Sequence, residues 1–370
     1  MVIKMKNNNI PEIRFKGFTE AWEQRKLINE SEYILAGGDV DKEKLKDRGS
    51  FPVIANGLSN EGIIGYYDND FKIFAPAVTV TGRGDVGHAR ARKVNFTPVV
   101  RLLTVKTKHN VDFLENNINN NGFVIESTGV PQLTVPKLEE ITLKFPKNIL
   151  EESKIGEMVL TLDNLITLYQ RKYEKLFNIK KALLEKMFPS TGEFIPKIRF
   201  SGFTEAWEQC KLEDITDYKV SSLSSDQVLE SGKYKVYDAN TMIGYVNDEY
   251  INSNYLTIIK DGSGVGRTRL LPQNTYFIGT MGGILAKNSD ISFIFALLQN
   301  FDFSLFINGA TIPHVYYSDY SKQEIKVPNM IEQKLIGKIF HGLDNLITLH
   351  QRKYEKLKNI KKSLLNKMFV

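Results

Sequence analysis

Residues at a strict seven-residue interval trace two lines along this chain. The first is Ile155, Leu162, Tyr169, Leu176 and Leu183; the second is Ile336, Leu343, His350, Leu357 and Leu364. A flanking line joins each, through Met158, Leu165 and Ile179 and through Ile339, Leu346 and Ile360, with Lys172 and Lys186 interrupting the first copy. No proline enters residues 155–187, and Pro189 ends the first segment. This periodicity predicts two long amphipathic helices that pair as a coiled coil. At 1.5 Å per residue, some 35 residues make an arm of roughly 50 Å. Between and before the arms lie short strand-like runs broken by glycine, proline and asparagine, as in FAPAVTVTGRGDVGHARAR at 74–92.

The chain repeats itself. PEIRFKGFTEAWEQRKL at 11–27 returns as PKIRFSGFTEAWEQCKL at 196–212, and the helical segment 162–188 returns at 343–369 with four of 27 positions changed. Periods of about 185 and 181 residues are too long for a solenoid, so the unit is a duplicated domain plus helix. Residues 28–147 and 213–328 share little beyond NEGIIGYYDND against NTMIGYVNDEY and VTGRGDVG against IKDGSGVG. The scaffold is held constant and the cargo differs. The predicted architecture is α+β, with two similar mixed α/β domains separated by two long helices packed as an antiparallel coiled coil, a pseudo-two-fold internal repeat. The expected boundaries are 1–150 for the first domain, 151–189 for its arm, 190–330 for the second domain and 331–370 for its arm.

Charge sharpens this division. Of a net charge of +6, residues 162–188 contribute +3 and residues 343–369 contribute +5, leaving the rest of the chain at about −2. The domains are therefore not broadly cationic, and any nucleic acid they bind must be met by local clusters. On the arms the polar stretch RKYEKL is retained in both copies. Arg171, Lys172 and Glu174, with Arg352, Lys353 and Glu355, are the candidates for a partner that docks on both.

Two places in each domain carry candidate reading chemistry. In the first domain a strand, a glycine turn and a basic tail supply Arg83, Asp85, His88, Arg90 and Arg92; in the second, Lys260, Ser263, Arg267 and Arg269 stand at the matching turn. Glycines let the backbone approach a partner closely. Arginine is the usual bidentate reader of guanine, and a carboxylate accepts from cytosine. Just before each arm, STGVPQLTVPKL and NGATIPHVYYSDY place Gln132 and His314 after matching prolines, with Tyr316 nearby. Gln reads adenine well. GRGDVG also fits a dinucleotide fingerprint, but no helix pattern follows it, and GSGVGRT lacks the lysine of a phosphate loop.

Other function classes lose support. One cysteine excludes an intrachain disulfide or a multi-cysteine metal site. No apolar run reaches the ~18 residues that span a bilayer, and the lysines of MVIKMKNNNI are followed by no apolar segment, so a cytoplasmic protein is expected. No metalloprotease, nucleophile-elbow or Walker motif appears, and no metal site is expected.

FTEAWEQRKL opening each half, with Glu151, Glu152, Ile155, Gly156 and Leu162 onward closing the first and Glu332, Gln333, Ile336, Gly337 and Leu343 onward closing the second, resembles the specificity subunit of a type I restriction-modification enzyme. The resemblance covers essentially the whole chain. It implies a non-catalytic subunit whose two target-recognition domains each read half of an asymmetric, split site in double-stranded DNA. It further implies that the paired helices hold two modification (methyltransferase) subunits and that restriction (motor and nuclease) subunits join them. S-adenosylmethionine, ATP and Mg would sit on those partners, leaving no cofactor here. The alternatives are a non-catalytic adaptor and a stand-alone DNA-binding protein without restriction partners.

Overall fold

The computed structural model describes residues 9–122, 131–309 and 311–370. It divides into two compact units, residues 1–169 with 352–370 and residues 170–351. Each unit thus contains one sequence-variable domain and a piece of both long helices.

In the first unit a four-stranded antiparallel sheet has the order Ser31–Ala36, Leu102–Thr107, Ala77–Thr81, Ala89–Arg92. The strand Ala77–Thr81 is buried on both faces, as its unbroken apolar and threonine run requires. A smaller sheet of Ile63–Tyr67, Phe51–Ile54 and Thr97–Pro98 lies beside it, and Glu23–Lys26 pairs with Thr142–Phe145. The helix Val111–Asn121 is capped by the Asn110 side chain on the Phe113 amide. The second unit repeats this plan. Its main sheet runs Thr216–Val220, Met281–Ala286, Tyr255–Ile259, Thr268–Leu271, and the helix Ile291–Gln299 is capped by Asp290 on the Phe293 amide. The expected pair of similar α/β domains is present.

The two long helices span Ile149–Met187 and Met330–Met368. Within the first unit Asp163 accepts from Lys361 at 2.6 and 2.8 Å, and Lys353 lies 5.3 Å over the Tyr169 ring, so the helices run antiparallel there. Within the second, Lys180 pairs with Asp344 and Phe188 meets Phe340, again antiparallel. The line Ile155 to Leu183 is on the buried side, as its spacing predicts. The flanking line is not the one expected. Leu165 and Ile179 are exposed, as are Leu346 and Ile360, while Val159, Ile166, Tyr173, Lys180 and Met187 complete the seam. Positions three and four residues onward are equally close on a helix face. Here packing favours the latter, because Val159 and Met187 enter domain cores and Lys180 finds Asp344.

The repeated motifs are the joints between arm and domain. Arg14 makes a two-pronged ion pair with buried Glu151 at 2.6 and 2.7 Å, and Arg199 does so with Glu332 at 2.8 Å twice. The Ile13 amide donates to the Lys367 carbonyl, and Ile198 to Lys186. Gly156 is forced: a Cβ there would lie 2.2 Å from the Asn110 side-chain oxygen that caps the domain helix. At Gly337 the same clash is with Asp290, at 2.6 Å.

Candidate nucleic-acid interface

The hairpin from Ala77–Thr81 to Ala89–Arg92 turns through Gly84 and Gly87 at φ +76° and +87°. Its counterpart, between Tyr255–Ile259 and Thr268–Leu271, turns through Gly262, Gly264 and Gly266 at +84° to +85°. These conformations favour glycine because it carries no Cβ. The strand registers match Thr79 opposite Arg90 with Thr257 opposite Arg269. Counting from there, the counterpart of Arg267 is His88 rather than Arg83.

The two candidate places of each domain are one place. Arg83 forms an antiparallel bridge with Gln132, and the Leu133 amide donates to the Gly82 carbonyl at 3.0 Å. In the second domain Asp261 bridges His314, the Gly262 amide donates to Pro313, and the Val315 amide to the Lys260 carbonyl. Directly opposed residues of an antiparallel pair project to the same face. Arg83 and Gln132 are therefore side by side, as are Asp261 and His314. The neighbouring stretch Ser127–Val130 lies outside the described residues.

The candidates divide by their surroundings. Arg83, Asp85, His88 and Gln132 are exposed. Partial desolvation of its ring, then the nearby Arg90, holds His88 below the ordinary imidazole value, so at neutral pH it is an uncharged donor and acceptor. Arg90 is tied to Glu61 at 2.8 Å. Arg92 is an interior residue, 8% exposed, donating to Thr79 and to the Glu61 carbonyl, and burial lowers its pKa to about 10. In the second domain Ser263 is exposed, and Lys260 is half-buried 3.9 Å from Asp261. Arg267 donates to the Ala239 carbonyl and the Asn240 side chain at 2.7 Å, and the Arg269 guanidinium lies 4.9 Å over Tyr237. His314 and Asn308 exchange backbone hydrogen bonds at 2.8 Å, and its ring meets exposed Tyr316 edge-on. Arg101 and Asp261, which the sequence motifs pass over, sit at this same junction.

On the arms Arg171, Lys172, Glu174, Arg352, Lys353 and Glu355 are all exposed. The sequence pattern missed their company. Leu165, Leu168 and Ile179 are uncovered on the first arm, and Leu346, Leu349 and Ile360 at the equivalent positions of the second. Among the described residues no helix is long and apolar enough to cross a membrane.

Two similar recognition modules, each presenting a glycine turn braced by a proline loop and each fastened to paired helices, define a duplicated recognition protein. The type I restriction modification DNA specificity domain matches it twice, over residues 20–178 and 204–359, once for each copy of the repeat. The chain belongs to that family. It is similar to the type I restriction enzyme MjaVIII specificity subunit of Methanocaldococcus jannaschii, at 22% identity over 274 residues. That alignment covers 65% of this chain and 64% of the relative, so the chain spans just under two thirds of that relative's length. The solved S subunit of a type I restriction-modification system from M. genitalium has the same fold, with a TM-score of 0.75 at 18% identity, over 98% of this chain and 99% of that one.

Proposed function

We propose that this chain is the sequence-reading, non-catalytic subunit of a type I restriction-modification complex. Each domain reads one half of a bipartite, asymmetric site in double-stranded DNA, and unread bases separate the halves. The observation that carries this reading is the bridged pair of loops. It recurs on one backbone plan in both domains, but with different side chains, exposed Arg83 and Gln132 against exposed Asp261 and half-buried His314. A constant frame bearing varied donors and acceptors is what base-edge readout needs. Arg83, Asp85, His88 and Gln132 are the readers in the first domain; Lys260, Ser263, His314 and Tyr316 are their partners in task in the second. Arg90, Arg92, Arg267 and Arg269 act behind them, holding the turns in place.

The arms hold two modification subunits. Charged residues Arg171, Lys172, Glu174, Arg352, Lys353 and Glu355 surround exposed leucines and isoleucines at equivalent places, which suits one type of partner binding twice. Restriction subunits join that assembly. S-adenosylmethionine, ATP and Mg belong to those partners, and the complex works in the cytoplasm. The test is to co-express the chain with its modification subunits and map methyladenine across the host genome. A two-part asymmetric motif is expected; methylation without any motif, or none at all, would overturn the reading.

A further inference from the structure

Each bridge has a third neighbour. In the first domain Gly82 lies against Arg101 so closely that a Cβ on the glycine would stand 2.2 Å from the Arg101 carbonyl oxygen. In the second domain the Lys260 amide donates to the Thr280 carbonyl at 3.2 Å. The registers pair Thr81 with Leu102 and Ile259 with Met281, so Arg101 and Thr280, one residue earlier, occupy the same place. Three positions are thus matched across the repeat, and their chemistry is exchanged: Arg83, Arg101 and Gln132 in one domain, Asp261, Thr280 and His314 in the other.

Two observations set the first triplet apart from a merely solvated surface. Arg101 is held at φ +70°, a left-handed conformation that a residue with a side chain adopts only where its surroundings impose it. Here a tight turn imposes it, closed by the Leu102 amide donating to the Val99 carbonyl at 2.9 Å, and Asn56 braces the turn, accepting from the Gly82 amide at 2.8 Å and donating to the Val100 carbonyl at 3.1 Å. The side chains of Arg83, Arg101 and Gln132 also make no hydrogen bond or ion pair with any described residue, whereas Arg90 and Arg92 beside them are fully engaged. The frame spends strain and bracing on groups that have no partner among the described residues.

We propose that these three matched positions are the base-reading triplet of each domain, with Arg83 and Arg101 specifying G·C pairs in the first half-site and Asp261 a C·G pair in the second. The inference rests on the DNA-reading function proposed above. Arginine donates twice to guanine O6 and N7, a carboxylate accepts from cytosine N4, and Gln or Asn pairs with adenine N6 and N7. Replacing the side-chain type should therefore change the base pair demanded, in one half-site only.

The experiment maps methyladenine in hosts carrying the complex with its modification subunits, comparing the unaltered chain with Arg83→Gln, Arg101→Gln and Asp261→Asn. Asp261→Asn keeps the shape and exchanges an acceptor for an amide, so misfolding is not the issue there. The expected result is that Asp261→Asn moves one G·C pair of the second half-site toward A·T, lowers methylation of the original motif about ten-fold or more, and leaves the first half-site intact. The two arginine variants should do the converse. An unchanged motif, or an equal loss at all sites with the complex still assembled, overturns the triplet. A failure of the unaltered complex to give any motif overturns the DNA-reading function itself, so the two failures are told apart.

Discussion

Phe369 stacks on Phe113, ring centroids 5.4 Å apart and 22° from parallel, and meets Trp22 edge-on at 6.0 Å. Phe188 stands in the same relation to Phe293 and Trp207, at 5.7 and 5.8 Å. The first domain's core is thus closed by the end of the second long helix, and the second domain's core by the end of the first. Phe369→Ala should destabilise the first unit by about 3–5 kcal/mol, the usual cost of emptying a buried phenylalanine site. Phe188→Ala should do the same to the second. Hydrogen exchange read separately in Val111–Asn121 and Ile291–Gln299 checks this; equal loss of protection in both helices from either variant would count against it.

The ion pairs that fasten and join the arms differ greatly in worth. Glu151 is fully buried against Arg14, whereas the Asp163 side chain is 42% exposed beside Lys361. Removing one member of a buried pair strands the other charge, at about 3–5 kcal/mol, while exposed pairs contribute roughly 0.2–1 kcal/mol. Glu151→Ala should therefore lower the melting temperature far more than Asp163→Ala. Similar shifts for the two would show that the joint is wetter than its geometry implies.

His109 gives the joint of the first domain a pH dependence, and the matching joint of the second has Ser289 in its place. Burial alone would lower its pKa, but hydrogen bonds and charge from Glu152 and Glu30, at 2.8–2.9 Å, outweigh burial and raise it. A folded-state value above the unfolded one, near 6.5, means the imidazolium's contribution is complete below about pH 6.5. It disappears as pH rises through the folded value. At the equivalent joint Ser289 stands in place of the imidazole, and Gln333 accepts from the Ser289 hydroxyl and the Asp290 amide. Calorimetry at pH 6 and pH 8 should find that His109→Gln removes a loss of stability on raising the pH, leaving the opposite contribution of His88, whose lowered pKa favours the folded state at the higher pH. The same slope in the variant would assign the effect elsewhere.

Arg92 and Arg83 are nine residues apart and should respond oppositely. Arg92→Ala leaves the Thr79 hydroxyl and the Glu61 carbonyl short of a donor, costing about 1–3 kcal/mol of stability. Arg83→Ala should leave thermal stability unchanged and weaken binding to the cognate duplex by ~1–3 kcal/mol, with less effect on random DNA. Equal weakening on both duplexes would make Arg83 a phosphate contact.

What the sequence displayed was local or repeated. The seven-residue line from Ile155 to Leu183 marked one edge of the seam, and duplication of FTEAWEQ and QRKYEKL marked the plan. What it hid depends on contacts between distant residues. Val159 and Met158 are both apolar, and only packing chooses between the lines they begin. The bridge from Arg83 to Gln132 spans 49 positions, so two candidate loops read as separate sites until the backbone joined them. Arg101 carries its signal in a backbone angle, to which composition is blind.

The cross-closing phenylalanines also define what half of the chain should do. Residues 1 to about 190 contain one domain, one arm and Phe188, but lack the Phe369 that closes that domain. KMF at 186–188 repeats KMF at 367–369, so the Phe188 of a second copy can take the place of Phe369 against Trp22 and Phe113. Lys180 of that copy likewise stands where Lys361 meets Asp163, and Lys172 where Lys353 covers Tyr169. Of the four changes between the arms, Phe177 for Lys358 falls on an exposed position, leaving Tyr169 for His350 as the substitution nearest the seam. The fragment should form a true two-fold dimer, each copy completing the other's core. With its modification subunits, that dimer should methylate a palindrome built from the first half-site alone. Sedimentation at micromolar concentration and a methylation map decide the matter, since a monomeric fragment, or a dimer that still marks the original asymmetric site, is incompatible with cores closed in this way.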